Sequence, residues 1–172
     1  MTIRQSEIKP RKTSDKLPKP KNTALKEIEG TCVCGEIVVA VVYPAFWAWH
    51  DHSKATRRAH GAAYATFIGA YKSRVRVVKG ESLLARFENE TTGTARSFCA
   101  RCGTPIFYER PHAPKWVNMP RSLFDARTGR EPRYHIGLDE AVEWEYRGEA
   151  VKPLKGYPGV MIERPRKKKA EI

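Results

Sequence analysis

Apolar residues along this chain cluster in short blocks of four to eight positions, with period-two alternation or unbroken β-branched runs. Glu36–Tyr43 is nearly continuous in Ile, Val and Ala, as a strand covered on both faces would be. Tyr64–Gly69 reads as a second strand. Arg74–Lys79 alternates, and Gly80-Glu81 reads as a turn into Ser82–Phe87, which predicts a hairpin. Thr94–Phe98, Pro105–Tyr108, Trp116–Met119, Arg133–Ile136 and Val142–Tyr146 complete a set of short predicted strands. Only Lys54–His60 suits a helical turn. The pattern therefore predicts a mainly β fold with little helix. No internal repeat, glycine-rich phosphate loop, G-x-S-x-G elbow or H-E-x-x-H pair occurs.

Length and charge divide the chain. At 172 residues it is long enough for one domain with a buried core. The net charge is +13, unevenly spread. Residues 1–26 hold eight Lys/Arg against two acids, and 164–172 hold five against one. The stretch 27–163 holds nineteen against sixteen, so it is only mildly basic. Pro10, Pro18 and Pro20 stand among lysines with few large apolar residues, a composition that cannot bury enough surface to order itself. The expected organisation is a basic tail over 1–26, a domain over 27–163 and a basic tail over 164–172. Such tails read as solubilising ends, or as contacts neutralising nucleic-acid phosphates. No secretory or membrane-spanning apolar run stands out, so a cytoplasmic protein with reduced thiols is expected.

The four cysteines change the picture most. They form two close pairs, Cys32-Val33-Cys34-Gly35 and Cys99-Ala100-Arg101-Cys102-Gly103. Glycine after the second cysteine of each pair permits the positive φ of a tight knuckle. Four thiolates on two knuckles make a closed tetrahedral Zn²⁺ site. The alternatives are two disulfides or four unrelated thiols. A disulfide across one or two residues is strained, which favours one structural zinc on Cys32, Cys34, Cys99 and Cys102.

These residues sit in a wider pattern. Gly30-Thr31-Cys32-Val33-Cys34-Gly35 comes first, then His52 with Arg57-Arg58-Ala59-His60-Gly61. Phe98-Cys99-Ala100-Arg101-Cys102-Gly103-Thr104, Leu123-Phe124-Asp125, His135-Ile136 and Trp144 follow. Over about residues 28–160 this order resembles the glutathione-dependent formaldehyde-activating enzyme family, which includes centromere protein V. The resemblance implies an Mss4-like fold of two or three small antiparallel β-sheets with zinc knuckles. It also implies a structural zinc on the outer cysteine pairs and a carbon–sulfur lyase activity like that of S-(hydroxymethyl)glutathione synthase.

The chain departs from that pattern where the chemistry should lie. Full members carry C-H-C-x-x-C-R-R, whose three thiolates hold a second, reactive zinc. Anchored on Arg57-Arg58, the three positions are Asp51, Ser53 and Thr56, around His52. Neutral hydroxyls are poor zinc ligands, and one carboxylate does not replace three thiolates. The reactive zinc is expected to be absent, and catalytic residues stay unassigned. His50 and His52 share one face of an extended segment, so a histidine metal site would need His60, His112 or His135 as a third ligand. Asp51 with His52 or His60 would make a general base. Otherwise these histidines are polar packing residues. Arg57 and Arg58 suit an anion clamp, or a structural ion pair. Trp47 and Trp49 suit a ligand wall or the core, and Trp144 the core. Three functions remain: an altered family member binding a small anion, an active lyase on glutathione adducts, or a zinc-stabilised module whose tails bind nucleic acid.

Overall fold

The computed structural model describes residues 26–145 and 151–163. Twelve strands form two sheets among them. The smaller contains β1 (Glu27–Thr31), β2 (Val38–Val42) and β5 (Val75–Lys79), in the order β1-β2-β5. The larger has nine strands: β3 (Trp47–Asp51), β4 (Ala65–Tyr71), β6 (Leu84–Asn89), β7 (Thr94–Cys99), β8 (Pro105–Glu109), β9 (Trp116–Pro120), β10 (Tyr134–Ile136), β11 (Val151–Pro153) and β12 (Met161–Glu163). Their spatial order is β11-β12-β10-β3-β4-β9-β8-β7-β6. One α-helix, α1 (Lys54–His60), and four 3-10 turns complete the described elements. Among the described residues, no helix is long and apolar enough to cross a membrane.

The fold is mainly β, with antiparallel pairing throughout except between β3 and β10, which run parallel. The long return from β9 carries the chain past β4 before β10 meets β3. The core fills the space between the sheets. Ile28, Val39 and Val41 from the small sheet meet Ile68, Ile106 and Met119 from the large one, with Leu123 and Phe124 closing one end. Each such buried side chain contributes roughly 1.5–3 kcal/mol. The expected continuous strand at Glu36–Tyr43 is β2, whose residues are almost all buried, as its β-branched run requires.

Two expected elements differ. Arg74–Lys79 and Ser82–Phe87 do not form a hairpin: β5 pairs with β2, and β6 pairs with β7 in the other sheet. Gly80, at φ 79, and the 3-10 turn Glu81–Leu83 redirect the chain between sheets. Val142–Tyr146 is not a strand either. Residues 142–145 form a turn closed by Glu145 N donating to Val142 O at 3.1 Å. This turn leaves Trp144 68% exposed rather than in the core, while Glu145 points inward. Tyr146 lies outside the described residues. So do the expected tails, except Lys26, whose carbonyl accepts from Tyr43 N at 2.7 Å.

Candidate functional site

The two knuckles meet. Cys32 and Cys34 stand in the β1–β2 turn, while Cys99 ends β7 and Cys102 lies in the turn to β8, so the cluster joins the two sheets. No disulfide forms. The Cys32 and Cys34 sulfurs are 3.4 Å apart, those of Cys34 and Cys99 3.8 Å, and all four lie within 4.8 Å of one another. A tetrahedron of Zn–S bonds near ~2.3 Å has sulfur–sulfur edges of about 3.8 Å, so these thiols could hold a metal ion. Gly35 and Gly103 take φ 73 and φ 74, closing both turns as the sequence predicts.

Hydrogen-bond donors favour the thiolate at Cys32 and Cys102, whereas at Cys34 a Glu36 backbone hydrogen bond is outweighed by burial and the neighbouring sulfurs, which push the thiol up to about 12. Ile37 N donates to Cys32 Sγ at 3.2 Å. The Thr104 hydroxyl is 3.1 Å from Cys102 Sγ and accepts from Val33 N at 3.1 Å, tying one knuckle to the other. Hydrogen bonds from the Thr104 side chain and backbone, and from the Cys34 backbone, hold the Cys102 thiol down to about 5. Outside the cluster, Glu36 pairs with Arg101 at 3.0 Å and Lys79 at 3.4 Å. These exposed pairs are worth little individually.

Asp51, Ser53 and Thr56 also converge, as a hydrogen-bonded knot. Asp51 ends β3, Ser53 caps α1, and Thr56 lies in the first turn of that helix. Ser53 N donates to Asp51 Oδ1 at 2.9 Å, and the Thr56 hydroxyl donates to Oδ2 at 3.0 Å. Thr56 in turn accepts from Arg96 Nη2 at 3.0 Å. Asp51 and Thr56 are buried.

The histidines divide between two faces. His50 of β3 and His52, just past its end, gather around His135 of β10, with ring centroids 4.7 and 5.1 Å from it. His52 Nδ1 contacts Glu145 Oε1 at 2.7 Å, both side chains being fully buried. His52 Nε2 lies 2.8 Å from His135 Nδ1. The Pro132 carbonyl can only accept, so His50 Nε2 donates to it at 3.1 Å and Nδ1 accepts from the Thr66 hydroxyl at 2.9 Å. Burial, with His135 and His52 beside it, pushes the His50 pKa down to about 4. Both ring nitrogens of His50 and of His52 thus serve internal bonds. Among the described residues, the four cysteines are the group that could hold a metal ion. The Asp51 oxygens serve Ser53 and Thr56 rather than His52 or His60, and His112 is exposed.

Arg57 is committed to structure: Nε donates to His52 O at 3.2 Å and Nη2 to Glu140 O at 2.9 Å. Arg58 is exposed. Trp49 is buried against Phe67, whereas Trp47 is 41% exposed. The arginine that meets the knot is Arg96 of β7, which the sequence pattern does not single out. Its guanidinium carbon sits 4.1 Å from the Tyr108 ring centroid. Beside it opens a cleft of about 370 Å³ lined by Phe67, Phe87, Phe98, Pro105, Tyr108 and Pro120, with Arg96 and His60 at its polar side. A more open cleft of about 600 Å³ shares His60 and Pro120. Burial, and next the Arg96 charge, push the His60 pKa down to about 4.

Among solved structures, a Rhodobacter sphaeroides protein is similar at 23% identity, over 58% of this chain and 89% of that chain, with a TM-score of 0.49. Curated proteins give no match. The family model described as glutathione-dependent formaldehyde-activating enzyme matches residues 27–140, a span holding both cysteine knuckles, the knot and His135. By that match, the chain belongs to the glutathione-dependent formaldehyde-activating enzyme family.

Proposed function

We propose that this protein is a zinc-stabilised family member in which a polar knot replaces the reactive-zinc site and the adjoining cleft binds a small anion. One observation carries the reading: both carboxylate oxygens of Asp51 are engaged inside the chain, by Ser53 N and the Thr56 hydroxyl. Thr56 also accepts from the Arg96 guanidinium, which places a cation two hydrogen bonds from the carboxylate. A zinc ion there would have to displace these bonds and would gain one carboxylate and two neutral hydroxyls in place of three thiolates.

The zinc of this reading sits on Cys32, Cys34, Cys99 and Cys102. Four thiolates leave it no open position, so its role is structural. It draws the two sheets together, and its binding free energy adds to folding free energy. The anion meets Arg96, while Arg57 is occupied by backbone carbonyls.

The test rebuilds the trio. The variant Asp51→Cys, Ser53→Cys, Thr56→Cys should raise bound zinc from about one to about two per chain, as three thiolates with an open position make a reactive site. The parent should not accelerate formaldehyde condensation with glutathione. Acceleration by the parent, lost in Asp51→Asn, would favour the lyase reading instead.

A further inference from the structure

The cleft beside the knot combines a mostly apolar wall with one cation. Arg96 and Tyr108 are cross-strand partners on β7 and β8, and the guanidinium packs over the phenol ring. Among the described residues no carboxylate forms an ion pair with Arg96. Its side chain donates to the Thr56 hydroxyl. Asp51 stands behind that hydroxyl and steadies the guanidinium without covering it. Guanidinium carries five donors in a planar fork, so most remain for a ligand. A partly desolvated guanidinium lacking a carboxylate partner is costly, and an incoming carboxylate offsets that cost bidentately.

The remaining lining narrows the ligand. His60 stands edge-on to Phe67, with ring centroids 5.3 Å apart. Held neutral by its surroundings, it adds no second positive charge near pH 7. Phe67, Phe87, Phe98, Pro105 and Pro120 offer no polar side-chain atom. Inorganic phosphate would surrender its hydration to one fork and apolar walls. Glutathione would bring two carboxylates, an ammonium and several amides to a site with a single charged partner. A volume of about 370 Å³ lies within the ordinary range for small-ligand pockets, ~300–1,000 Å³.

We propose that this cleft binds a monocarboxylate with a compact apolar or aromatic body, its carboxylate on Arg96 and its body among Phe67, Phe87 and Phe98. The inference rests on the reading that the cleft takes a small anion, and narrows it to one chemical class.

Isothermal titration of the full chain with benzoate, hexanoate, benzamide, inorganic phosphate and glutathione tests it. Benzoate and hexanoate should bind, and benzamide, which keeps the ring and loses the charge, should bind about tenfold to a hundredfold more weakly. Arg96→Gln should weaken benzoate by a similar factor. Phe87, 57% exposed at the cleft, can be cut to Ala without opening the core, and Phe87→Ala should weaken benzoate and leave the melting temperature unchanged. Equal affinities for benzoate and benzamide, or full benzoate affinity in Arg96→Gln, would overturn the proposal. Should Arg96→Gln fail to fold, the acid–amide comparison and Phe87→Ala decide the matter. Full benzoate affinity in Phe87→Ala then counts against it. Binding of phosphate or glutathione without benzoate would overturn the monocarboxylate and leave the anion reading standing. No binding by any of the four anions would overturn both.

Discussion

Thr56 holds the polar knot together because one hydroxyl can donate and accept at once. It gives its proton to Asp51 Oδ2 and takes one from Arg96 Nη2. His60, at the far end of α1, completes the polar side of the cleft and gives a testable pH dependence. Its pKa falls from 6.5 to about 4 in the fold, by burial and then by the Arg96 charge. Between these values the unfolded chain binds the proton and the folded chain does not. Stability therefore falls as pH drops from about 6.5 to about 4. His60→Gln should flatten the melting-temperature profile over that window by a few degrees. Acid release of a thiolate-bound metal acts on both proteins alike, so their difference isolates His60. Parallel profiles would contradict the assignment. At this scale the cysteine quartet was legible because its spacing and glycines specify knuckles. The meeting of Asp51, Ser53 and Thr56 was legible because the family pattern groups those three positions. Arg96 was not, because an arginine on an alternating strand looks like any solvated residue until Tyr108 and Thr56 are seen beside it. Glu145 was hidden by Trp144, which suggested an inward face one residue too early.

Among the elements, β1, β11 and β12 were missed, while α1, β2 and β4 to β10 emerged from pattern alone. β3 did not, since Trp47-Ala48-Trp49-His50-Asp51 lacks a β-branched residue, yet it lies between β10 and β4 in the large sheet. Its alternation places His50 and His52 on one face and Asp51 on the other, as an extended segment requires. The hairpin that does not form has a local cause at Gly80. A Cβ there would stand 2.1 Å from Glu36 O, in a backbone conformation with φ +79. Gly80→Ala therefore costs left-handed strain of roughly 1–2 kcal/mol and a steric overlap with backbone besides. Gly61, the C-cap of α1 at φ +59, has nothing within 4 Å of such a Cβ. Gly61→Ala should cost only the strain, about 1 kcal/mol. Urea unfolding of both variants compares them. Equal losses would show that the passage between sheets does not depend on close approach at Gly80.

Among the described residues, two sheets enclose the larger of two apolar clusters, and the cysteine cluster bridges the sheets. Cys32 and Cys34 come from the small sheet and Cys99 and Cys102 from the large one, so a metal there would restrain both. The knot lies on β3, α1 and β7, apart from the cysteines, and the cleft reaches the second knuckle at Gly103. This separation makes metal content the most direct test of the central claim, that the protein keeps one zinc site and carries a polar knot at the other. Elemental analysis of the purified full chain, beside Cys99→Ser, measures it. The prediction is about one zinc per parent chain, lost in Cys99→Ser together with a sharp fall in melting temperature, since zinc binding at such sites is folding free energy. About two tightly held zinc ions in the parent, or a Cys99→Ser variant that keeps its zinc and melts like the parent, would contradict it.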